Sequence, residues 1–271
     1  MSNVTPTMGD CPACGSSDAN ATYPDDGHSW CYSCQTYTSG DKSMQQTKVI
    51  PMSNPATSEL KSVGQVADIP DRKIKQETAR KYNTQVMQSG NMITHHIYQY
   101  FDKDGNHIAN KVREVQGKKF WSEGNLAGSG LFGEHIFGRA GKYITVCEGE
   151  IDAMSAYEML GSKWPVVSIK NGAASALENC RRSFEYLNQF ENVVLCFDND
   201  KPGKEAALKV AELFDPNKCK IIELELKDAN EYLKTNQRKK FSDDWWNART
   251  FTPAGIVNLA DLGTTLYDEK Y

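Results

Sequence analysis

Between Cys147 and Leu160 the chain reads CEGEIDAMSAYEML, which puts three carboxylates, Glu148, Glu150 and Asp152, into five residues. They stand where an apolar run, KYITVC, gives way to a helical pattern. A solubilising turn needs one or two acids at most, whereas a cation site wants more. A second pair, Asp198 and Asp200, follows the apolar part of VVLCFDNDKPG, and with a period of two they point the same way, Asn199 the other. Asp228, in KDANEY, follows a further apolar run. Carboxylates gathered from three strand ends repel one another, and a divalent cation relieves that repulsion. Oxygen ligands with no His or Cys nearby favour Mg2+ or Mn2+ over zinc. Hard cations so held act on phosphate esters, where they neutralise charge and orient the attacking and leaving oxygens. Taken singly, Asp152 and Asp228 could instead cap helices, because both stand just before helical runs. Glu148, which ends a strand, has no such explanation.

The cysteines point to different chemistry. Of eight, Cys11, Cys14, Cys31 and Cys34 form two C-x-x-C knuckles sixteen residues apart, while Cys147, Cys180, Cys196 and Cys219 are scattered. Cys147 and Cys196 lie in apolar runs, where a thiol acts as a small core hydrophobe. Each knuckle can place two thiolates on one tetrahedral zinc, with a small β-hairpin sheet between them. Tyr23, Trp30, Tyr32 and Tyr37 are interleaved with His28, Asp25 and Asp26. The metal-held sheet is either a structural staple or a platform that offers His28 and Trp30 to unstacked bases.

These groups need elements to hold them. Residues 1–40 read as the zinc-binding unit, and 41–59, polar with Pro51 and Pro55, as a linker whose r.m.s. span would be roughly 25 Å. Within 60–140, DRKIKQETARKYN reads as a short amphipathic helix and THHIYQYFDKDGNHIANKVREV as a β-hairpin turning at Asp104-Gly105-Asn106. From 141 to 250, KYITVC, WPVVSI, NVVLCF and CKIIEL read as buried strands. Between them DAMSAYEML, SALENCRRSFEYLNQF and KEAALKVAELF read as helices, and the tail from Asp228 begins as another. Strand alternating with helix predicts a mainly parallel sheet, with ligands bound beyond its carboxyl ends. Residues 251–271 read as a connector. The fold class expected is multi-domain α/β: a small β ribbon, a linker, an α+β subdomain and an α/β domain.

At 271 residues the core can be ample. No apolar run approaches the ~20 residues of a membrane span, and MSNVTPTMGD has no signal-peptide character. The expected location is therefore cytoplasmic. Net charge is −4, yet segment 61–120 carries eleven Lys/Arg against six Asp/Glu, a net of +5. That is either a solvated face or a surface for nucleic acid or nucleotide.

EGEID at 148–152, followed by DND at 198–200, resembles the Toprim domain of primases, topoisomerases and related nucleases. With the four-cysteine ribbon, DGHSWCYSC, NKVREV, LFGEH and KDANEY, the chain is similar over residues 9–255 to the primase half of podovirus primase–helicases. The resemblance implies a DNA-dependent RNA primase. Glu148 would be the catalytic carboxylate, helping to deprotonate the attacking 3′-hydroxyl. Glu148, Asp198, Asp200 and Asp228 would hold two Mg2+ or Mn2+ ions, with Glu150 and Asp152 completing the acidic surround. Lys111 and Arg113, with Lys118 or Lys119, would contact template or nucleotide phosphates. Implied partners are single-stranded DNA, nucleoside triphosphates, the RNA primer, a replicative helicase domain and a DNA polymerase. SIKNGAASA at 168–176 departs from the family's turn and leaves the contact of Lys170 open. No G-x-x-x-x-G-K-[ST] occurs, so the expectation is a fragment cut near an interdomain linker, or a freestanding primase, and a monomer. The rival readings are a Toprim nuclease and a non-catalytic DNA-binding accessory of a helicase.

Overall fold

A computed structural model describes residues 6–13, 19–24, 27–31, 36–38, 59–117 and 119–253. The chain divides into two compact units, Met1–Ala56 and Thr57–Tyr271. The expected linker lies outside the described residues except for Glu59, as do Cys14, Cys34, Lys118 and residues from 254 onward.

The first unit is an antiparallel meander of β1 (Thr7–Gly9), β2 (Asn20–Thr22), β3 (Ser29–Cys31) and β4 (Tyr37–Thr38). Its turn between β2 and β3 is closed by the Tyr23 N–H donating to the His28 carbonyl at 2.9 Å. Among its described residues, the buried apolar side chains are Cys11, Ala21 and Cys31. That is too little surface to hold a sheet together by burial alone.

The second unit opens with α1 (Gln76–Lys81) and a four-stranded antiparallel sheet, β5 (Thr84–Ser89), β6 (Met92–Phe101), β7 (His107–Glu114) and β8 (Phe120–Gly124). The helix is shorter than DRKIKQETARKYN suggests. Ile69 and Ile74, both buried, pair across a tight 3₁₀ turn and keep the chain out of the helix until Gln76. The expected hairpin is β6–β7. Asp102 Oδ1 accepts the N–H groups of Asp104 and Asn106, each at 2.9 Å, and Gly105 takes the φ of +83° that the turn requires.

The α/β part follows as β9 (Gly141–Cys147), α2 (Glu150–Met159), β10 (Val166–Ser168), α3 (Ala176–Arg182), α4 (Phe184–Leu187), β11 (Phe190–Cys196), α5 (Lys201–Ala211), β12 (Cys219–Ile221), α6 (Ala229–Lys234), α7 (Arg238–Trp246) and β13 (Arg249–Thr250). The sheet order is β10-β9-β11-β12-β13. Its first four strands are parallel, as the alternating pattern predicts, and the edge strand β13 is antiparallel. The single helix expected over 175–190 is broken at Ser183, whose hydroxyl donates to Glu134 Oε2 at 2.7 Å, and Phe190 already belongs to β11.

Alternation along β9 sends Ile144 and Val146 into one apolar layer with Val193, Leu195, Ala207 and Val210, while Cys147 joins the other. That second layer is shared: Tyr82, Tyr98, Tyr100 and Phe132 of the antiparallel part pack with Ala153 and Met154 of α2. Residues 60–140 and 141–250 thus bury one core between them. Among the described residues no helix is long and apolar enough to cross a membrane.

Candidate active site

The parallel register sets Cys196 beside Cys147, so β9 and β11 end level. Glu148 is the first residue after β9 and Asp198 the second after β11, so both stand at the same edge of the sheet. Glu148 is fixed on both oxygens: Oε1 accepts the Ala173 N–H at 3.1 Å and Oε2 the Asp198 N–H at 3.4 Å. Gly203 lets the first turn of α5 approach closely, because a Cβ there would lie 2.4 Å from the Asp198 carbonyl oxygen.

Period-two alternation does not orient Asp200. Strand β11 stops at Cys196, and Asp200 is placed by capping α5, its Oδ1 accepting the Gly203 N–H at 2.8 Å. The capping role suggested for Asp228 is present, with Oδ1 accepting the Glu231 N–H at 2.8 Å. Asp152 does not cap its own helix, whose N-cap is Gly149. Its Oδ1 instead accepts the Asn230 N–H at 3.1 Å, in the first turn of α6. The carboxylates nevertheless feel one another. Burial above all, then Glu148 and Asp228, pushes Asp198 up to about 7. Burial, then Asp228 and Asp198, holds Asp152 well above the carboxylate range. Burial also raises Glu148, with Asp200 adding to it.

Glu150 faces the neighbouring sheet. It is buried, and its Oε1 accepts the Tyr100 hydroxyl at 2.6 Å and Lys111 Nζ at 2.7 Å. Lys111 Nζ also donates to the Lys170 carbonyl. Lys170 is itself buried and turned inward, donating to the carbonyls of Ser129 at 2.8 Å and Leu126 at 3.3 Å, and burial lowers its pKa to about 8. Lys111 and Arg113 share one face of β7 and lie 5.4 and 5.3 Å from the centroid of Phe120. Together with Glu148, Glu150, Asp152 and Asp198 they line a cleft of about 220 Å³. Lys119 is exposed just before β8. In the first unit, the His28 ring stacks on Tyr23 at 4.4 Å and lies 5.6 Å from Tyr37, which is half-exposed, while Trp30 is half-buried.

Sequence reasoning missed Phe120, Tyr100 and Asn230. Asn230 stands two residues after Asp228 in KDANEY, and its amide Nδ2 reaches the Arg72 carbonyl and Ser155 Oγ, each at 2.9 Å. Among the described residues no group of three or more His, Cys, Asp and Glu is arranged as a finished metal site. The donors nonetheless fit a hard cation. Several carboxylates at strand ends raise one another's pKa, and a divalent ion removes that cost.

Residues 145–233 match the family model described as Toprim-like. The chain is 33% identical over 260 residues to a DNA helicase/primase of Enterobacteria phage T3, an alignment covering 93% of this chain and 45% of that relative. It therefore spans less than half of that protein's length. Among solved structures, the primase fragment of the bacteriophage T7 primase-helicase superposes with a TM-score of 0.64 at 31% identity, covering 89% of this chain and 99% of that one. A second T7 structure holds the lagging-strand DNA polymerase interacting with primase domains bound to an RNA/DNA hybrid and dTTP. It matches with a TM-score of 0.63 at 32% identity, covering 69% of this chain and 94% of that one.

Proposed function

Because this chain belongs to the primase part of the phage primase–helicase family, we propose that it is a DNA-dependent RNA primase. In this reading it copies a short sequence of single-stranded DNA into an RNA primer from nucleoside triphosphates. The observation that carries the reading is the meeting of Glu148 and Asp198 at the same ends of adjacent parallel strands, the Asp198 N–H donating to Glu148, with Asp152, Asp200 and Asp228 close enough to interact with them. Glu148, Asp198, Asp200 and Asp228 would hold Mg2+ or Mn2+, which supplies charge neutralisation on the triphosphate and on the departing pyrophosphate.

The chain's own residues do the rest. Glu148, held at both oxygens and raised by burial, accepts the proton of the attacking 3′-hydroxyl. Glu150 keeps Lys111 extended into the cleft, where it and Arg113 meet phosphate oxygens, and Lys118 or Lys119 would add a further phosphate contact. Asp152 ties α2 to α6 and so fixes the spacing of the acids. In the first unit, Cys11, Cys14, Cys31 and Cys34 would hold zinc. Support comes from the burial of Cys11 and Cys31 in a sheet whose described residues bury one other apolar side chain, Ala21. His28, between Tyr23 and Tyr37, and Trp30 would meet unstacked template bases. The reading implies work in a host cytoplasm beside a replicative helicase domain and a DNA polymerase that takes over the primer.

The test is synthesis on random-sequence single-stranded DNA with labelled ribonucleotides and Mg2+. Short RNA is expected from the native chain, and a loss of at least about a hundredfold in Glu148→Gln. Shortened DNA would mean a nuclease, and DNA binding without chemistry an accessory.

A further inference from the structure

Phe120 is out of keeping with its surroundings. It is 51% exposed, yet it stands in the cleft that holds Glu148, Asp152 and Asp198 rather than on the open surface. A half-exposed phenyl among charges is ordinary when isolated. This one is placed: it pairs with Arg113 across β7–β8, and both Arg113 and Lys111 lie against its ring at 5.3 and 5.4 Å. Lys111 is tethered in turn by Glu150 and the Lys170 carbonyl, so the cation beside the ring has a fixed seat. The result is a half-exposed aromatic ring with two cations over it and a bank of carboxylates in the same cleft. A nucleotide carries the complementary groups in one molecule, a flat apolar base and an anionic phosphate chain.

The geometry points to Phe120 as a nucleobase shelf: its open ring stacks the base whose phosphates Lys111 and Arg113 receive. This rests on the primase reading and names the contact that holds the base. Stacking on an aromatic side chain tolerates every base, because each has a π-face. That suits a site that must accept four nucleotides in turn. The base belongs either to the incoming ribonucleotide or to the template, and the two are separable.

The experiment compares the native chain with Phe120→Ala, Phe120→Leu and Phe120→Trp in three binding titrations with Mg2+. The ligands are a ribonucleoside triphosphate without DNA, a single-stranded oligodeoxynucleotide without nucleotide, and inorganic tripolyphosphate. KM and kcat for RNA synthesis are measured alongside. Because the ring is exposed, all three variants should melt with the native chain. Phe120→Ala and Phe120→Leu should weaken either the triphosphate or the DNA arm by about tenfold, with Phe120→Trp close to native and tripolyphosphate binding unchanged. Loss in the triphosphate arm, with a matching rise in KM, assigns the shelf to the incoming nucleotide, and loss in the DNA arm assigns it to the template. Equal losses for tripolyphosphate would overturn the idea, because Phe120 would then only prop the cations. So would native affinity in Phe120→Leu. A native chain that makes RNA while the variants match it sinks the shelf alone. One that binds neither nucleotide nor DNA sinks the primase reading with it.

Discussion

Asn230 uses every polar atom of its side chain. The amide is 2% exposed, Nδ2 donates to the Arg72 carbonyl and Ser155 Oγ, and Oδ1 faces Arg72 Nη1 at 3.4 Å. Asn230→Asp keeps the shape but replaces two donors with an acceptor facing a carbonyl, and buries charge near Asp152. We expect a loss of about 2–4 kcal/mol in denaturant unfolding; a loss below about 0.5 kcal/mol would show that the network carries little. His96 makes a pH-dependent contribution. Its ring is 1% exposed, Nδ1 meets the Tyr98 hydroxyl at 3.2 Å, Nε2 has no hydrogen-bond partner, and Asp71, Arg72, Arg113 and His95 are the charged or titratable groups around it. Burial lowers its pKa from 6.5 to about 4 against the opposing pull of Asp71. The unfolded chain therefore takes up the proton first as pH falls. Stability from this group is present above pH ~6.5 and is lost as pH falls toward ~4, to a limit of about 3 kcal/mol. Denaturant unfolding across that window should show the fall, and His96→Gln should flatten its slope whatever it does to the level.

Among the elements, the connection from β8 to β9 is tied to the cleft by one lysine. Lys170 Nζ reaches the carbonyls of Leu126 and Ser129, and its own carbonyl receives Lys111, so the loop and the cleft are held at one point. Lys170→Met removes both loop bonds and keeps the apolar stem. Amide exchange at residues 125–131 should quicken by about tenfold, with stability falling by about 1–3 kcal/mol. Unchanged exchange there would refute the tether. From SIKNGAASA alone the direction of Lys170 was open, because a lysine beside a turn projects into solvent or inward according to carbonyls forty residues away. Asp200 shows the same limit: the acid was legible, but its orientation comes from the α5 cap rather than from the pleat. The parallel strands were readable because β9 and β11 are apolar on both faces, as a doubly covered sheet requires. Edge strand β13 was not, since Arg249 and Thr250 carry no apolar signal and gain their place by pairing with Ile221 and Lys220. The break at Ser183 was hidden too, because its cause is Glu134, far away in sequence.

For the whole molecule, the two units draw stability from different sources. The second has two apolar layers on the parallel sheet, one packed with α2 and the other with α3 and α5, with tyrosines, phenylalanines and aliphatic side chains fully buried. The first has, among its described residues, Cys11, Ala21 and Cys31. Burying so little apolar surface, at about 25 cal/mol per Å², cannot offset the ordering entropy of the chain it would have to fix. If four thiolates and zinc supply the difference, a strong chelator should unfold the first unit alone. NMR or tryptophan fluorescence should then show Trp30 and the Tyr23–His28 stack lost, while the melting midpoint of the second unit stays put. Cys31→Ser should reproduce the effect without chelator, and added Zn2+ should reverse the chelator but not the substitution. The chemistry should divide in the same way, because the carboxylates and the Phe120 cleft lie wholly within the second unit. The chelated chain should fail to start RNA at its preferred template sequence, yet still extend a supplied primer when Mg2+ is in excess. A melt in which both units unfold together on chelation would count against separate sources of stability. Extension abolished along with initiation would mean that the first unit is needed for the chemistry itself.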